Sequence, residues 1–321
     1  MIFQIQRIFA SRQWLSGLCR FGFCTAVLCL TLHVQSQEHA ASPEYQEPVV
    51  AECGLQFYWQ AVFSPPEQQK IHDWLCLNYQ QVNDLIGPFQ AKVEVYLYRR
   101  DNAEEPVPWA FTDRGGDQQR RPQQLHFYVD PRYSLAQLLA DWTAVHEFSH
   151  LALPLLDRSD QWFAEGFASY LQVQIQHRQG FIEDPRSYFR QKLQSQRAIL
   201  QQDQPMISLL KQLMQQRRFK AAYWGSALWF VEAEAILAAR GVDWFALIRQ
   251  YQQQHRFQDQ DLAAVIRSFD LLLNTASFRL RLSEDNNIAP AIIPQKPAAF
   301  SSEPLQQLWQ RYQQQSALQI L

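Results

Sequence analysis

The spacing of apolar residues changes character once along the chain. Between residues 55 and 129 they form short runs, several alternating with period two; beyond Asp130-Pro131 they recur at helical spacing to about residue 282. The aromatic run at 55–62 predicts a strand. Pro65-Pro66 then opens a helix carrying Ile71, Trp74, Leu75, Val82, Leu85 and Ile86, which Gly87-Pro88 ends. Residues 92–98 alternate as a half-buried strand. Residues 107–112 and 124–129 predict two more, joined by a polar, Gly-containing hairpin loop that holds Arg114, Arg120 and Arg121. Past Asp130 the spacing predicts one helix from an N-cap at Ser134 to a stop at Pro154. Further helices are predicted over 160–176, 185–202, 205–217, 220–239, 243–254 and 260–281. Residues 285–304 are rich in Pro and Ala and read as a linker or surface strap. Leu305, Leu308, Trp309, Tyr312 and Leu318 then suit a short docked helix. No internal repeat is visible. The layout is α+β: a small mixed β-sheet amino-terminal lobe (37–133), a mainly α-helical lobe (134–284), and a carboxy-terminal segment (285–321).

The first 36 residues stand apart. Arg7, Arg12 and Arg20 are the only Lys, Arg, Asp or Glu residues before Glu38, and they are followed by an apolar run over 21–34 and then Val34-Gln35-Ser36. Charged region, apolar region and small-residue site occur in the order of an export signal, with cleavage expected after Ser36. The run is shorter than the roughly 20 residues that span a membrane comfortably. Cleavage would remove Cys19, Cys24 and Cys29 and leave Cys53 and Cys76, an even pair expected to form a disulfide in an oxidising compartment. A bacterial periplasm fits these features. Secretion, or anchoring by an uncleaved signal, fits them too, and membrane contact is expected only in that last case.

Composition then narrows the function classes. The chain has 321 residues, 47% hydrophobic and 13% aromatic, which is globular rather than disordered. Its formal net charge of −2 gives no basic field for nucleic acid. The Gln- and Arg-rich stretches at 212–218 and 249–256 read as solvated helix faces.

The helix before Pro154 contains His146-Glu147-Phe148-Ser149-His150. Two His at i and i+4 stand one turn apart on one helical face, so their imidazoles can converge on one metal ion. Glu147, beside the first His, is placed to act on a water molecule at that ion without ligating it. This is the H-E-x-x-H arrangement of a zinc peptidase. Fourteen residues separate His150 from Glu165, which sits in Trp162-Phe163-Ala164-Glu165-Gly166-Phe167-Ala168-Ser169-Tyr170. A helix bearing Glu165, packed antiparallel to the first, can supply a third ligand. Two His and one Glu leave a fourth position open, the mark of a catalytic zinc site. Ser169, one turn after Glu165, is a candidate to face the site; Asp141 reads as a surface cap. His72, His126, His177 and His255 stand apart from the motif and read as ordinary histidines.

The two strings together resemble the gluzincin clan of zinc metallopeptidases. The second is especially similar to the aminopeptidase N-type branch and its shorter peptidase-MA-like relatives. The likeness is strong over 141–170 and weaker to about 235. It implies a thermolysin-like zincin catalytic domain with one Zn²⁺ held by His146, His150 and Glu165, and Glu147 as general base. The loop between the two helices is shorter than in aminopeptidase N, and the large amino-terminal β domain of those enzymes has no room. Their Gly-Ala-Met-Glu-Asn motif is not present; the nearest segment is Trp109-Ala110-Phe111-Thr112-Asp113-Arg114-Gly115-Gly116. Ala222-Tyr223-Trp224-Gly225 begins an apolar helix, and in related enzymes a Tyr at that place donates to the oxyanion. Tyr223 is therefore a candidate donor, although the expected Tyr-x-x-Gly spacing is not matched.

The expected activity is hydrolysis of peptide bonds in a peptide or protein substrate, with endo- versus aminopeptidase action open. The strand at 107–112 could pair with an extended peptide by strand addition. Two other readings stay open: a silent peptide-binding module on a peptidase scaffold, and a zinc hydrolase of a non-peptide substrate.

Overall fold

The structure, a computed structural model, describes residues 49–113, 122–274 and 303–321. The proposed export signal, the three arginines of the hairpin loop and most of the Pro-rich strap lie outside the described residues. Among the described residues, no helix is long and apolar enough to cross a membrane.

Five strands form one mixed sheet in the order β1-β2-β3-β5-β4. They are β1 (Val49–Val50), β2 (Leu55–Trp59), β3 (Val93–Arg99), β4 (Trp109–Asp113) and β5 (Gln123–Val129). β2, β3 and β5 run parallel, with β1 and β4 antiparallel at the two edges. Alternation splits the sheet into two faces. Leu55, Phe57, Val93, Val95, Leu97, Leu125, Phe127 and Val129 all point into the core. Between β2 and β3 the chain crosses over through α1 (Pro65–Ile86), as a parallel pair requires. A capping box starts α1: the Ser64 N–H donates to Glu67 at 2.7 Å. Its buried stripe of Ile71, Trp74, Leu75 and Val82 covers the core face, where Trp74 meets Phe127 edge-on at 5.6 Å. Cys53 and Cys76 are bridged, with Cα atoms 5.7 Å apart, tying the β1–β2 turn to α1. Such a bridge stabilises by about 3 kcal/mol in the chain-entropy picture, and it fits the oxidising compartment expected of an exported chain.

The rest of the described chain is helical: α2 (Leu135–Ala140), α3 (Thr143–Ser149), a 3-10 turn at His150–Ala152, α4 (Gln161–Arg178), α5 (Pro185–Leu200), α6 (Met206–Gln215), α7 (Phe219–Ala238), α8 (Trp244–Gln254), α9 (Leu262–Asn274), α10 (Pro304–Gln314) and α11 (Ala317–Ile320). The fold is thus mixed α and β, with the helices following a small sheet. The α10 segment docks through Leu305, Leu308 and Tyr312, and its Trp309 stacks on Trp162 of α4.

Two expectations from the sequence need correction. The strand expected over 55–62 stops at Trp59, because the chain must turn to reach the Ser64 cap. The single helix expected from Ser134 to Pro154 is two helices and a 3-10 turn. Asp141 takes an extended conformation (φ −73°, ψ 134°) and its carboxylate accepts the Thr143 N–H at 2.8 Å, ending one helix and capping the next. The segment expected as a helix over 260–281 is helical from Leu262 to Asn274, and residues 275–281 lie outside the described residues.

The turn from the sheet into α2 is pinned by Asp130. Its buried carboxylate accepts the Ala103 N–H, the Arg132 N–H and the Arg132 guanidinium. Arg132 is the main cause that holds the Asp130 carboxyl down at about 2, against the opposing effect of burial. A carboxyl depressed below its unfolded value stabilises the fold above that value, and the contribution is lost as pH falls toward 2. With the half-exposed Arg132 screened by solvent, this is worth about 1–2 kcal/mol. Asp130→Asn should lower unfolding stability at pH 7 and flatten the loss between about pH 4 and 2. Urea melts of both proteins across that range would show it; identical acid limbs would refute the role.

Candidate metal centre

α3 has only seven residues, all of them buried. A helix that short has little stability of its own and is held by its surroundings. Asp141 caps its start. At its end, the 3-10 turn places the Leu151 carbonyl against Arg256, whose Nε donates at 2.6 Å. A buried guanidinium suits the negative end of a helix. Leu153 is extended before Pro154, which closes the segment where the sequence predicts. His146 lies within the helix, and His150 at the point where it tightens to 3-10. The rings lie 5.0 Å apart at an 84° angle.

α4 brings the carboxylate. Glu165 Oε2 lies 3.2 Å from His146 Nε2 and 3.8 Å from His150 Nε2. One ligand atom from each of the three residues lies within 4.8 Å of the others. Ligands of a tetrahedral zinc ion sit about 3.4 Å from one another, given zinc–ligand distances near 2.0–2.2 Å. The separations here bracket that value, so the donor set fits such an ion in number, type and spacing. Two buried histidines and a half-buried glutamate therefore form a group able to hold a metal ion.

The surroundings tie these groups together. The Tyr223 ring of α7 stacks on His146 at 6.0 Å and its hydroxyl reaches Glu165. Trp142 meets His146 edge-on at 5.2 Å. Burial works to raise the Glu165 carboxyl; the two imidazoles and the Tyr223 hydroxyl outweigh it and hold the carboxyl well below its usual range. For His146 burial works downward, and Glu165, Glu147 and Gln172 together raise it. Glu147 lies outside the three-residue ligand set. Thr112 of β4 donates to its Oε2 at 2.8 Å, so an edge strand of the sheet holds this carboxylate.

The structure thus brings together all five residues singled out in the sequence: His146, Glu147, His150, Glu165 and Tyr223. It also adds three that the sequence reading missed. Gln172, two turns after Glu165 on α4, is the polar side chain that reaches His146; its i+7 spacing was a usable signal, one turn beyond Ser169. Thr112 lay in a predicted strand, but only tertiary packing aims it at Glu147. Trp142 fills a helix start that the sequence reading had merged into one longer helix.

No protein-family model matches the chain. No curated protein matches it in sequence. Among solved structures, an M1 zinc metallopeptidase from Deinococcus radiodurans matches over 72% of this chain and 47% of its own, at 14% identity and a TM-score of 0.43. The chain spans about half the length of that enzyme.

Glu165 meets Tyr223 because α4 and α7 approach closely at Gly166. A Cβ there would lie 2.3 Å from Ser226 Cβ and 2.7 Å from the Ser226 carbonyl carbon. Ser226 Oγ in turn donates to the Trp162 carbonyl at 2.6 Å. Gly166→Ala must push the two helices apart and should cost about 1–3 kcal/mol. Urea unfolding measures this; wild-type stability in the variant would contradict the close packing.

Proposed function

We propose that the protein is an exported zinc-dependent metallopeptidase with a thermolysin-like zincin catalytic domain. The observation that carries this reading is the convergence of His146, His150 and Glu165 within 4.8 Å, with Glu147 beside them. Zinc held by those three residues would supply Lewis acidity and a water of lowered pKa. The chain's own groups do the rest. Glu147 takes a proton from the attacking water and returns it to the leaving amine. Thr112 donates to Oε2 of that carboxylate and so holds it in place beside the ligand cluster. Tyr223, whose hydroxyl rests on Glu165, turns to donate to the developing oxyanion, a contribution worth about 3 kcal/mol for a well-placed donor. Among the described residues β4 is the last strand of the sheet, and it lies against α3 through Thr112, so an extended peptide pairing with its outer side would run past Glu147.

Two substitutions test the assignment. Glu147→Gln should abolish chelator-sensitive cleavage of a denatured protein pool while retaining one zinc per chain. His150→Ala should lose the metal, measured by elemental analysis. Wild-type turnover in the first, or full zinc occupancy in the second, would refute the corresponding role. Retained zinc with no cleavage by the wild type would instead favour a binding module or a non-peptide hydrolase.

A further inference from the structure

The sheet face turned away from the core carries a two-row aromatic ladder. In one row Tyr58, Tyr96, His126 and Phe111 stack across β2, β3, β5 and β4, with ring centroids 4.7, 4.8 and 4.4 Å apart. In the other, Tyr98, Tyr128 and Trp109 stack at 4.5 and 4.6 Å. Ring planes within each row differ by no more than 22°. The stacked rings are direct cross-strand partners in the sheet register: Tyr58 with Tyr96, Tyr96 with His126, His126 with Phe111, Tyr98 with Tyr128, Tyr128 with Trp109. The repeat of each row is therefore set by the spacing of neighbouring strands, about 4.8 Å.

Both rows end at β4, the edge strand. Phe111 and Trp109 each stack on a ring of β5 on one side, and among the described residues no strand lies beyond them. Along the same strand Thr112 points to the opposite face and holds Glu147. One strand thus carries the catalytic side and the ladder's open ends on alternate residues.

We infer that the substrate is an extended peptide with aromatic side chains at two positions two residues apart, which lie on Trp109 and Phe111 as the next rung of both rows. This rests on the peptidase reading above. A strand added to the outer side of β4 puts its same-face side chains one strand spacing away, the distance at which every existing rung stacks. Side chains on its other face point toward Glu147 and the ligand cluster. Offset-stacked rings contribute beyond their buried area, so the preference per position is on the order of fivefold in kcat/KM.

The test is a positional peptide library digested by the zinc-loaded chain, with cleavage sites mapped by mass spectrometry. The expected profile shows Phe, Tyr or Trp enriched at two positions two residues apart. In W109L/F111L of equal zinc content that enrichment should collapse, whereas Tyr58→Leu, at the far end of one row, should keep it. Cleavage by the wild type with no such paired preference overturns the inference and leaves the peptidase reading standing. No cleavage of any peptide by zinc-loaded wild type removes both. The wild-type profile decides the matter even if the double variant does not fold.

Discussion

Burying two imidazoles and a carboxylate at one point is costly unless each compensates another. Much of the helical lobe is arranged around that constraint. Glu165 lies within 3.8 Å of both histidine Nε2 atoms, and Tyr223 and Gln172 add polar contacts to the same cluster. The two histidines are not held by a long independent helix. α3 stays in place because Asp141 caps one end and Arg256 the other, and because every side chain in it is packed. α4 is held against α7 by the missing side chain at Gly166 and by the Ser226 hydroxyl. The site is a product of tertiary packing.

That explains what could be read from the sequence. The candidate ligands were legible because their chemistry is local: two histidines one helical turn apart, and a carboxylate in an aromatic, buried helix. The strands and helices were legible where periodicity was strong, as in 92–98, where alternation shows, and in α1, where Pro and Gly mark both ends. The break at Asp141 was not, because apolar spacing continues across it and only the carboxylate's bond to the Thr143 N–H shows the chain leaving the helix. Thr112 was missed for the same reason: it works through a contact that no spacing rule predicts. Gln172 carried a spacing signal, two turns after Glu165, but its contact with His146 depends on how α4 packs on α3. His126 read as an ordinary histidine, and its place between two stacked rings appears only once the strand order is known.

The sheet links scaffold to chemistry. One face supplies the core on which α1 packs, and the other carries stacked rings across four strands. Its edge strand does both jobs through alternation, with Thr112 on the Glu147 carboxylate and Trp109 and Phe111 at the ends of the ladder. Register fixes this division: a shift of one residue would exchange the two faces and separate Thr112 from Glu147. The antiparallel pairing of β4 with β5 is thus as much a part of the site as the histidines.

In the proposed function, His146, His150 and Glu165 bind one zinc ion together. Anomalous diffraction at the zinc edge, from crystals of the zinc-loaded chain, tests it most directly. One strong peak is expected about 2.0–2.2 Å from a nitrogen of each histidine and from a Glu165 carboxylate oxygen. A peak elsewhere, or none at these residues despite bound zinc in solution, would contradict it.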